Sequence, residues 1–387
     1  MSKALVVGGS SGIGLAVVFD LLERGYEFIN IVGKEDTRPE DIPEQYARLY
    51  RERTAFTQVN LSQEDYTVFD GIGDFDTLFI SAGFGRVAPF EDLTETEISN
   101  LIKCNELSVI QILHRYYEKL QADAPFYCGV MVSIAGHVAS PLFSVYGASK
   151  MGIRGIIENL NSELAATGST NRILDISPGS LKGTRFNGGA NNLSTLQDTA
   201  HEMTERMFQR ELLYIPDYEK VYKGVIDRYD RDYLQYGKES YQYKMDGGRL
   251  STTPQVTIGY LSGTFDLFHV GHINLLRKAK AECDYLIVGV HKNGSWKGKE
   301  TFIPLEERMQ VVASCRYVDK VILSYPEDCD AWKDYHYHKL FVGSDYKGSE
   351  RFRRYEEYFS DKNVEIVYFP YTKGVSSTML RQTLSNG

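Results

Sequence analysis

Two sets of side chains in this 387-residue chain stand at spacings that could do chemistry. Tyr146 and Lys150 are four apart in Tyr146-Gly147-Ala148-Ser149-Lys150, a separation that puts both on one face of a helix. Ser133 lies thirteen residues before the tyrosine, at the end of the run Gly129 to Ser133. A lysine charge can lower a phenol pKa from about 10 towards neutrality, and the phenol could then exchange a proton with a carbonyl or hydroxyl that the serine orients. The second set is His269 and His272, three apart in Gly263-Thr264-Phe265-Asp266-Leu267-Phe268-His269-Val270-Gly271-His272, just before the apolar helical segment Ile273 to Ala281. Two histidines at a helix start can face one anionic group, and the small Gly271 lets a phosphate chain approach the helix N-terminus. No third ligand stands nearby, so an anion site is the better reading than zinc.

These groups need elements to hold them. Short β-branched runs at residues 3–7 and 28–32 flank a helical segment, Ile13 to Arg24, and make a βαβ unit. Further strands are expected at Asp76 to Ser81, Gly129 to Ser133 and Arg172 to Ser177. The pattern weakens over residues 214–255 into a Tyr-rich, charged stretch that ends in Asp246-Gly247-Gly248 and runs to Pro254, which is linker chemistry. Strands resume at Val256 to Leu261, Asp284 to Val290, Lys320 to Ser324, Lys339 to Val342 and Val364 to Phe369. The expected architecture is α/β in two domains: an N-terminal Rossmann-fold, doubly wound parallel sheet (residues 1–245) and a smaller C-terminal Rossmann-like α/β domain (256–387), joined by a linker at 246–255.

Gly8-Gly9-Ser10-Ser11-Gly12-Ile13-Gly14 follows the first strand and opens a helix, where a glycine-rich turn admits a pyrophosphate. With the Ser/Tyr/Lys set, it makes residues 3–213 resemble the short-chain dehydrogenase/reductase family. Ser81-Ala82-Gly83 stands where that family has Asn-Ala-Gly, Asn105 where it has its active-site Asn, and Pro178-Gly179 with Thr184 where its Pro-Gly segment meets the nicotinamide. Val7 replaces the family's Thr, and Ser81 its Asn, at positions that are structural supports. The resemblance implies Asn105, Ser133, Tyr146 and Lys150 as catalytic residues, Gly8, Ser10, Ser11, Gly12, Ile13, Gly14, Lys34, Asn60, Ser81, Ala82, Gly83, Pro178, Gly179 and Thr184 as cofactor contacts, and Arg185 as a substrate contact. Lys34 occupies the position where related NADP enzymes carry Arg, while Asp36 close by is the kind of residue that meets the ribose of NAD. NADPH is the expected cofactor and NADH the alternative.

Residues 256–385 resemble the HxGH nucleotidyltransferases, most closely the glycerol-3-phosphate type of cytidylyltransferase. Trp296-Lys297-Gly298-Lys299 resembles its lysine loop, Glu306-Glu307-Arg308 and Arg316-Tyr317-Val318-Asp319 its following helix, Val342-Gly343-Ser344-Asp345 its next strand end, and Thr372-Lys373-Gly374-Val375-Ser376-Ser377-Thr378 its closing signature. Tyr371 stands where the family has Arg, at a position that contributes to the nucleotide site. The resemblance implies His269, His272, Lys297 and Lys299 as catalytic residues. It implies Gly263, Thr264, Phe265, His269, His272, Lys299, Asp345, Thr372, Ser376, Ser377 and Thr378 around CTP, Arg308 and Arg316 near the acceptor substrate, and Mg²⁺ on the triphosphate. No protein ligand for the metal is assigned.

The two activities compose. Reduction of a keto- or aldose-sugar phosphate, ribulose 5-phosphate best, would give an alditol phosphate such as ribitol 5-phosphate. CMP transfer from CTP would then give a CDP-alditol for bacterial surface polysaccharide. One alternative gives the transferase glycerol 3-phosphate and the reductase a separate sugar. Another makes one domain a nucleotide-sensing or oligomerisation module, with the Tyr-rich stretch as an interface. A formal charge of -9 argues against nucleic-acid partners. The absence of an apolar run of about 18 residues argues against a membrane span. With no signal-peptide pattern, the cytoplasm is the expected location, the five scattered cysteines are expected as reduced core residues, and by resemblance a homodimer or homotetramer is expected.

Overall fold

The computed structural model describes residues 2–63, 66–184, 186, 191–251, 256–293 and 301–370. The chain divides into two compact units, residues 1–254 and 255–387. Among the described residues the first unit contains β1 (Lys3–Val7), α1 (Gly12–Glu23), β2 (Phe28–Gly33), α2 (Glu44–Arg53), β3 (Thr54–Gln58), β4 (Thr77–Ile80), α3 (Glu95–Ile102), α4 (Ser108–Arg115), α5 (Tyr117–Gln121), β5 (Tyr127–Met131), α6 (Ser144–Ala166), β6 (Arg172–Ile176), α7 (Gln197–Phe208), β7 (Leu213–Tyr214), α8 (Lys223–Arg231) and α9 (Tyr233–Asp246). Its strands form one parallel sheet in the order β3-β2-β1-β4-β5-β6-β7.

Burial on both faces explains why β1 and β4 read as continuous apolar runs: four of five β1 residues and all of β4 are buried. One core lies between the sheet and α4 and α6, the other between the sheet and α1 and α7. Chain order reverses between β1 and β4, the switch point whose carboxyl-end crevice takes ligands in open α/β sheets. In α6 the buried residues Tyr146, Lys150, Ile153, Ile157, Asn161 and Leu164 make one stripe. The tyrosine and lysine therefore ride on the face that packs into the core.

Two features were not legible beforehand. β3 and β7 are short sheet edges with weak patterns, and the Tyr-rich stretch folds as the helices α8 and α9. Beyond α9, the expected linker is held to the first unit as far as Ser251, whose amide donates to the Val87 carbonyl at 2.9 Å.

The second unit contains β8 (Ile258–Gly263), α10 (Val270–Ala281), β9 (Tyr285–Val290), α11 (Leu305–Ala313), β10 (Lys320–Leu323), α12 (Asp328–Tyr335), β11 (Lys339–Gly343), α13 (Glu350–Phe359) and β12 (Glu365–Phe369). Its five described strands form a parallel sheet in the order β10-β9-β8-β11-β12, with the switch between β8 and β11. α10 and α11 pack on one face, α12 and α13 on the other. All five cysteines are free; Cys128 and Cys283 are buried and the others half-buried. No described helix is long and apolar enough to cross a membrane.

Candidate active sites

In the first unit the segment after β5 and the start of α6 bring Ser133 and Tyr146 together, and the serine hydroxyl hydrogen-bonds the phenol. Ser133 Oγ also accepts from the Ala135 amide at 3.1 Å, which fixes its direction. Lys150 Nζ donates to the Met131 carbonyl at 2.9 Å and lies 5.7 Å from the centre of the Tyr146 ring. The phenol ring sits between Phe143 and Phe186, at 4.5 and 5.3 Å between ring centres.

That apolar box changes the expected electrostatics. Burial pushes the Tyr146 phenol up to about 12, with the Ser133 hydrogen bond pulling the other way. Burial lowers Lys150 to about 8. The phenol is therefore not drawn towards neutrality, because desolvation outweighs the Ser133 hydrogen bond. At neutral pH it is a proton donor.

Asn105 lies in a π-helical turn, Lys103–Leu107, between α3 and α4, the kind of bulge that recurs at functional sites. It is fully buried, and its amide clasps the Phe84 backbone, accepting from N at 3.0 Å and donating to O at 2.7 Å. It also donates to Ser149 Oγ at 3.4 Å. Asn105 thus holds the turn that carries Ala82 and Gly83.

At the switch point Ser81 Oγ donates to the Val7 and Gly8 carbonyls, both at 3.2 Å. Any Cβ on Gly14 would collide with the Gly8 carbonyl oxygen and Ser81 Oγ, so α1 approaches this turn only because residue 14 is glycine. Ser11 caps α1 without a side-chain hydrogen bond, leaving the helix N-terminus suited to an anion. One amide there is taken: Gly12 N donates to Asn191 Oδ1 at 2.9 Å, which places the Asn191 side chain at the turn. The buried Nδ2 atoms of Asn60 and Asn191 have no protein partner, and such orphaned donors fit a bound ligand. Nothing in sequence spacing singles out Asn191.

Lys34 is exposed at the end of β2, while Asp36 Oδ1 accepts from the Thr37 amide at 2.7 Å. Thr184 Oγ1 donates to the Leu181 carbonyl at 3.2 Å, and Pro178 O accepts from the Ile134 amide at 2.9 Å. Behind this edge His137 Nε2 lies 2.9 Å from Ser177 Oγ, which donates to Asp175 Oδ1 at 2.6 Å. The buried network ties the segments bearing Ser133 and Pro178 through residues 40 apart in the chain, a separation no local motif reports. Arg185 lies outside the described residues.

In the second unit His269 caps α10, its Nδ1 accepting from the Gly271 amide at 3.0 Å, and His272 Nδ1 accepts from the His269 amide at 3.3 Å. The rings lie 4.1 Å apart. Burial, then the charge of His269, lowers His272 to about 4, and burial lowers His269. With Nδ1 accepting in neutral rings, both present Nε2–H as a donor.

Phe265 and Leu267 take positive φ, 51° and 49°, on either side of the buried Asp266. Non-glycine residues rarely adopt that region, and such strain gathers at functional loops. Asp266 accepts from the Phe302 and Ile303 amides at 3.1 and 3.0 Å. It anchors the chain just past the lysine segment and was missed in the sequence because its contact is made 36 residues away.

Arg308 departs from its expected place at the substrate. It is 1% exposed, and its guanidinium donates to the carbonyls of Ile303, Thr264, His291 and Lys292 at 2.5 to 2.9 Å. These carbonyls occupy four of its five N–H donors, so it clamps the segments beside Gly263 and Thr264. Arg316 is exposed, its guanidinium 5.7 Å from the Tyr317 ring centre, and Asp345 is exposed beyond β11. Lys297, Lys299, Tyr371, Thr372, Ser376, Ser377 and Thr378 lie outside the described residues. Among the described residues no group of three His, Cys, Asp or Glu side chains could hold a metal ion.

Comparison with known proteins bears on both units. The short chain dehydrogenase family model matches residues 2–193 and the cytidylyltransferase-like model residues 260–383. The second unit is 33% identical over 126 residues to the glycerol-3-phosphate cytidylyltransferase of Staphylococcus aureus, covering 32% of this chain and 90% of that protein. The chain is a short-chain dehydrogenase fused to a cytidylyltransferase.

The cytidylyltransferase unit is also 48% identical over 80 residues to the ethanolamine-phosphate cytidylyltransferase of Dictyostelium discoideum, covering 20% of this chain and only 22% of that protein. For the dehydrogenase unit, a short-chain dehydrogenase from Streptomyces avermitilis superposes with a TM-score of 0.50 at 20% identity, over 63% of this chain and all of that one. That likeness is one of fold.

Proposed function

We propose that the chain makes a CDP-alditol in two steps. A keto- or aldose-sugar phosphate, ribulose 5-phosphate by best fit, is reduced with NADPH to its alditol phosphate. CMP is then transferred to that phosphate from CTP, and pyrophosphate is released. One observation carries this reading: the chain joins a dehydrogenase unit to a unit alignable over 90% of an enzyme named for glycerol 3-phosphate, itself an alditol phosphate. Reduction of a sugar phosphate supplies the class of nucleophile that the second step consumes, and the product would serve surface polysaccharide synthesis.

In the first step Tyr146 donates its phenolic proton to the carbonyl oxygen and Ser133 orients that oxygen. Lys150 keeps positive charge near the phenolate that forms. The nicotinamide, when bound, supplies the hydride. The Gly8–Gly14 turn, Ser81 and Asn60 would hold the cofactor. Lys34 at the end of β2, with the Asp36 carboxylate turned to its own backbone, favours NADPH over NADH.

In the second step a phosphate oxygen of the alditol phosphate bonds to the α-phosphorus of CTP as the bond to the pyrophosphate oxygen breaks. His269 and His272 meet the charge that develops there with Nε2–H donors, which is stabilisation by placed dipoles. Lys297 and Lys299 would neutralise the phosphates, and Mg²⁺ would be held largely by triphosphate oxygens.

The test is incubation with NADPH, CTP, Mg²⁺ and a panel of sugar phosphates, followed by mass spectrometry. A CDP-alditol that needs all three additions is expected; no alditol phosphate and no CDP-alditol with any sugar would refute the coupled reading. The 33% identity favours one second reading, direct use of glycerol 3-phosphate. It predicts CDP-glycerol without NADPH.

A further inference from the structure

The helices α8 and α9 have no part in the roles above, yet they and the residues flanking them reach the three segments that follow β4, β5 and β6. The Tyr222 hydroxyl, just before α8, lies against Gly179 so closely that a Cβ there would collide with it. Gly237 of α9 rests on Pro141. Past α9, the Ser251 carbonyl accepts from Arg86 Nε at 2.9 Å. Lys244 of α9 donates to Ser140 Oγ at 2.9 Å and to the Pro141 carbonyl at 2.7 Å.

The segment that Lys244 grips belongs to the reductase site. Leu142, next along, takes a φ of 64°, and Phe143 then packs its ring 4.5 Å from that of Tyr146. A second cation, Arg249, follows where the chain turns back on α9, its amide donating to the Lys244 carbonyl at 3.2 Å. Arg249 lies over the Tyr243 ring at 4.7 Å and donates to its hydroxyl at 2.8 Å. Both partners of Lys244 are neutral, as is that of Arg249, and the neighbouring Asp246 accepts from Gln242 at 2.7 Å instead. Among the described residues neither cation meets a carboxylate. Two close positive charges without a counter-ion, one of them half-buried, are stabilised by an anion.

We propose that Lys244, with Arg249, forms the subsite for the phosphate group of the carbonyl substrate in the dehydrogenase unit. This rests on the sugar-phosphate reading above. Lys244 has a donor left for a phosphate oxygen, and Arg249 offers a planar fork. Burial and then the charge of Arg249 hold Lys244 at about 8, and a bound dianion would relieve both effects.

The test compares full-length wild type with K244Q, K244R and R249Q, following NADPH consumption with a ketose phosphate and with the unphosphorylated ketose. K244Q should raise KM for the phosphorylated substrate about 10- to 100-fold with kcat little changed. K244R should restore most of the loss, R249Q should show a smaller KM effect, and the unphosphorylated ketose should be used equally by all four proteins. An equal loss on both ketoses, or a fall in kcat alone, would mean that Lys244 only supports the Ser140–Leu142 segment, and the subsite would be rejected. If wild type reduces no sugar phosphate, the proposed function fails separately, and the subsite is read with inorganic phosphate in the presence of saturating CTP. Phosphate should then raise the melting temperature of wild type more than that of K244Q, whereas equal rises would overturn the subsite.

Discussion

Each site turns on a few protons. Tyr146→Phe removes the only hydroxyl of that side chain and should abolish NADPH oxidation while leaving CMP transfer intact. His269→Ala should do the reverse, and assaying both reactions on each variant checks the separation. Because burial sets Lys150 at about 8, reduction should fall as pH rises past about 8, when the lysine loses its charge. Lys150→Arg, where it folds, should move that limb upward. His272 affects stability rather than rate alone. Its folded pKa of about 4 lies below the unfolded value of about 6.5. Between these values the unfolded chain binds more protons, so the stability contribution is complete above about 6.5 and is lost as pH falls towards about 4. The melting temperature of the cytidylyltransferase unit should drop across that window. His272→Gln should flatten the drop without removing it, since burial also lowers His269 and His338.

At the scale of elements, close approach and clamping matter more than propensity. α1 meets the β1 turn through Gly14, where Ala would overpack against the Gly8 carbonyl and Ser81. Gly14→Ala should cost about 1–3 kcal/mol and abolish NADPH binding, read by thermal melting and by NADPH fluorescence. Arg308 is the corresponding device in the other unit. Arg308→Met keeps the bulk but strands four carbonyls, each worth about 1–3 kcal/mol if left unpaired. A lower melting temperature together with lost CMP transfer is expected. The resemblance to cytidylyltransferases pointed at Arg308 but implied substrate contact. Motif position does not say whether a guanidinium faces a ligand or its own backbone.

For the whole molecule, the two units have separate sheets and separate cores. Expressed apart, residues 1–254 should reduce the sugar phosphate and residues 255–387 should transfer CMP, with an unfolding transition each by calorimetry. A fragment without its reaction would show that the units need one another. The α8 and α9 region belongs with the first fragment, because Lys244 and Ser251 bind the segments that follow β5 and β4. A first fragment ended at residue 213, where the family resemblance stops, should melt lower than one ended at 254.

The sequence by itself determined the two α/β units, the strands nearest the switch points, and the pairs Tyr146 with Lys150 and His269 with His272. Those signals are local: a period of two or of 3.6 residues and a spacing of three or four residues act within one element or at its start. Tertiary structure decided the protonation of these groups, the clamp role of Arg308, the covering of Gly12 by Asn191, and the path of α8 and α9 past the reductase site. Each depends on partners far apart in the chain, 179 residues for Gly12 and Asn191 and 104 for Lys244 and Ser140. Desolvation in particular sums over every neighbour of a group, so no short motif reports it.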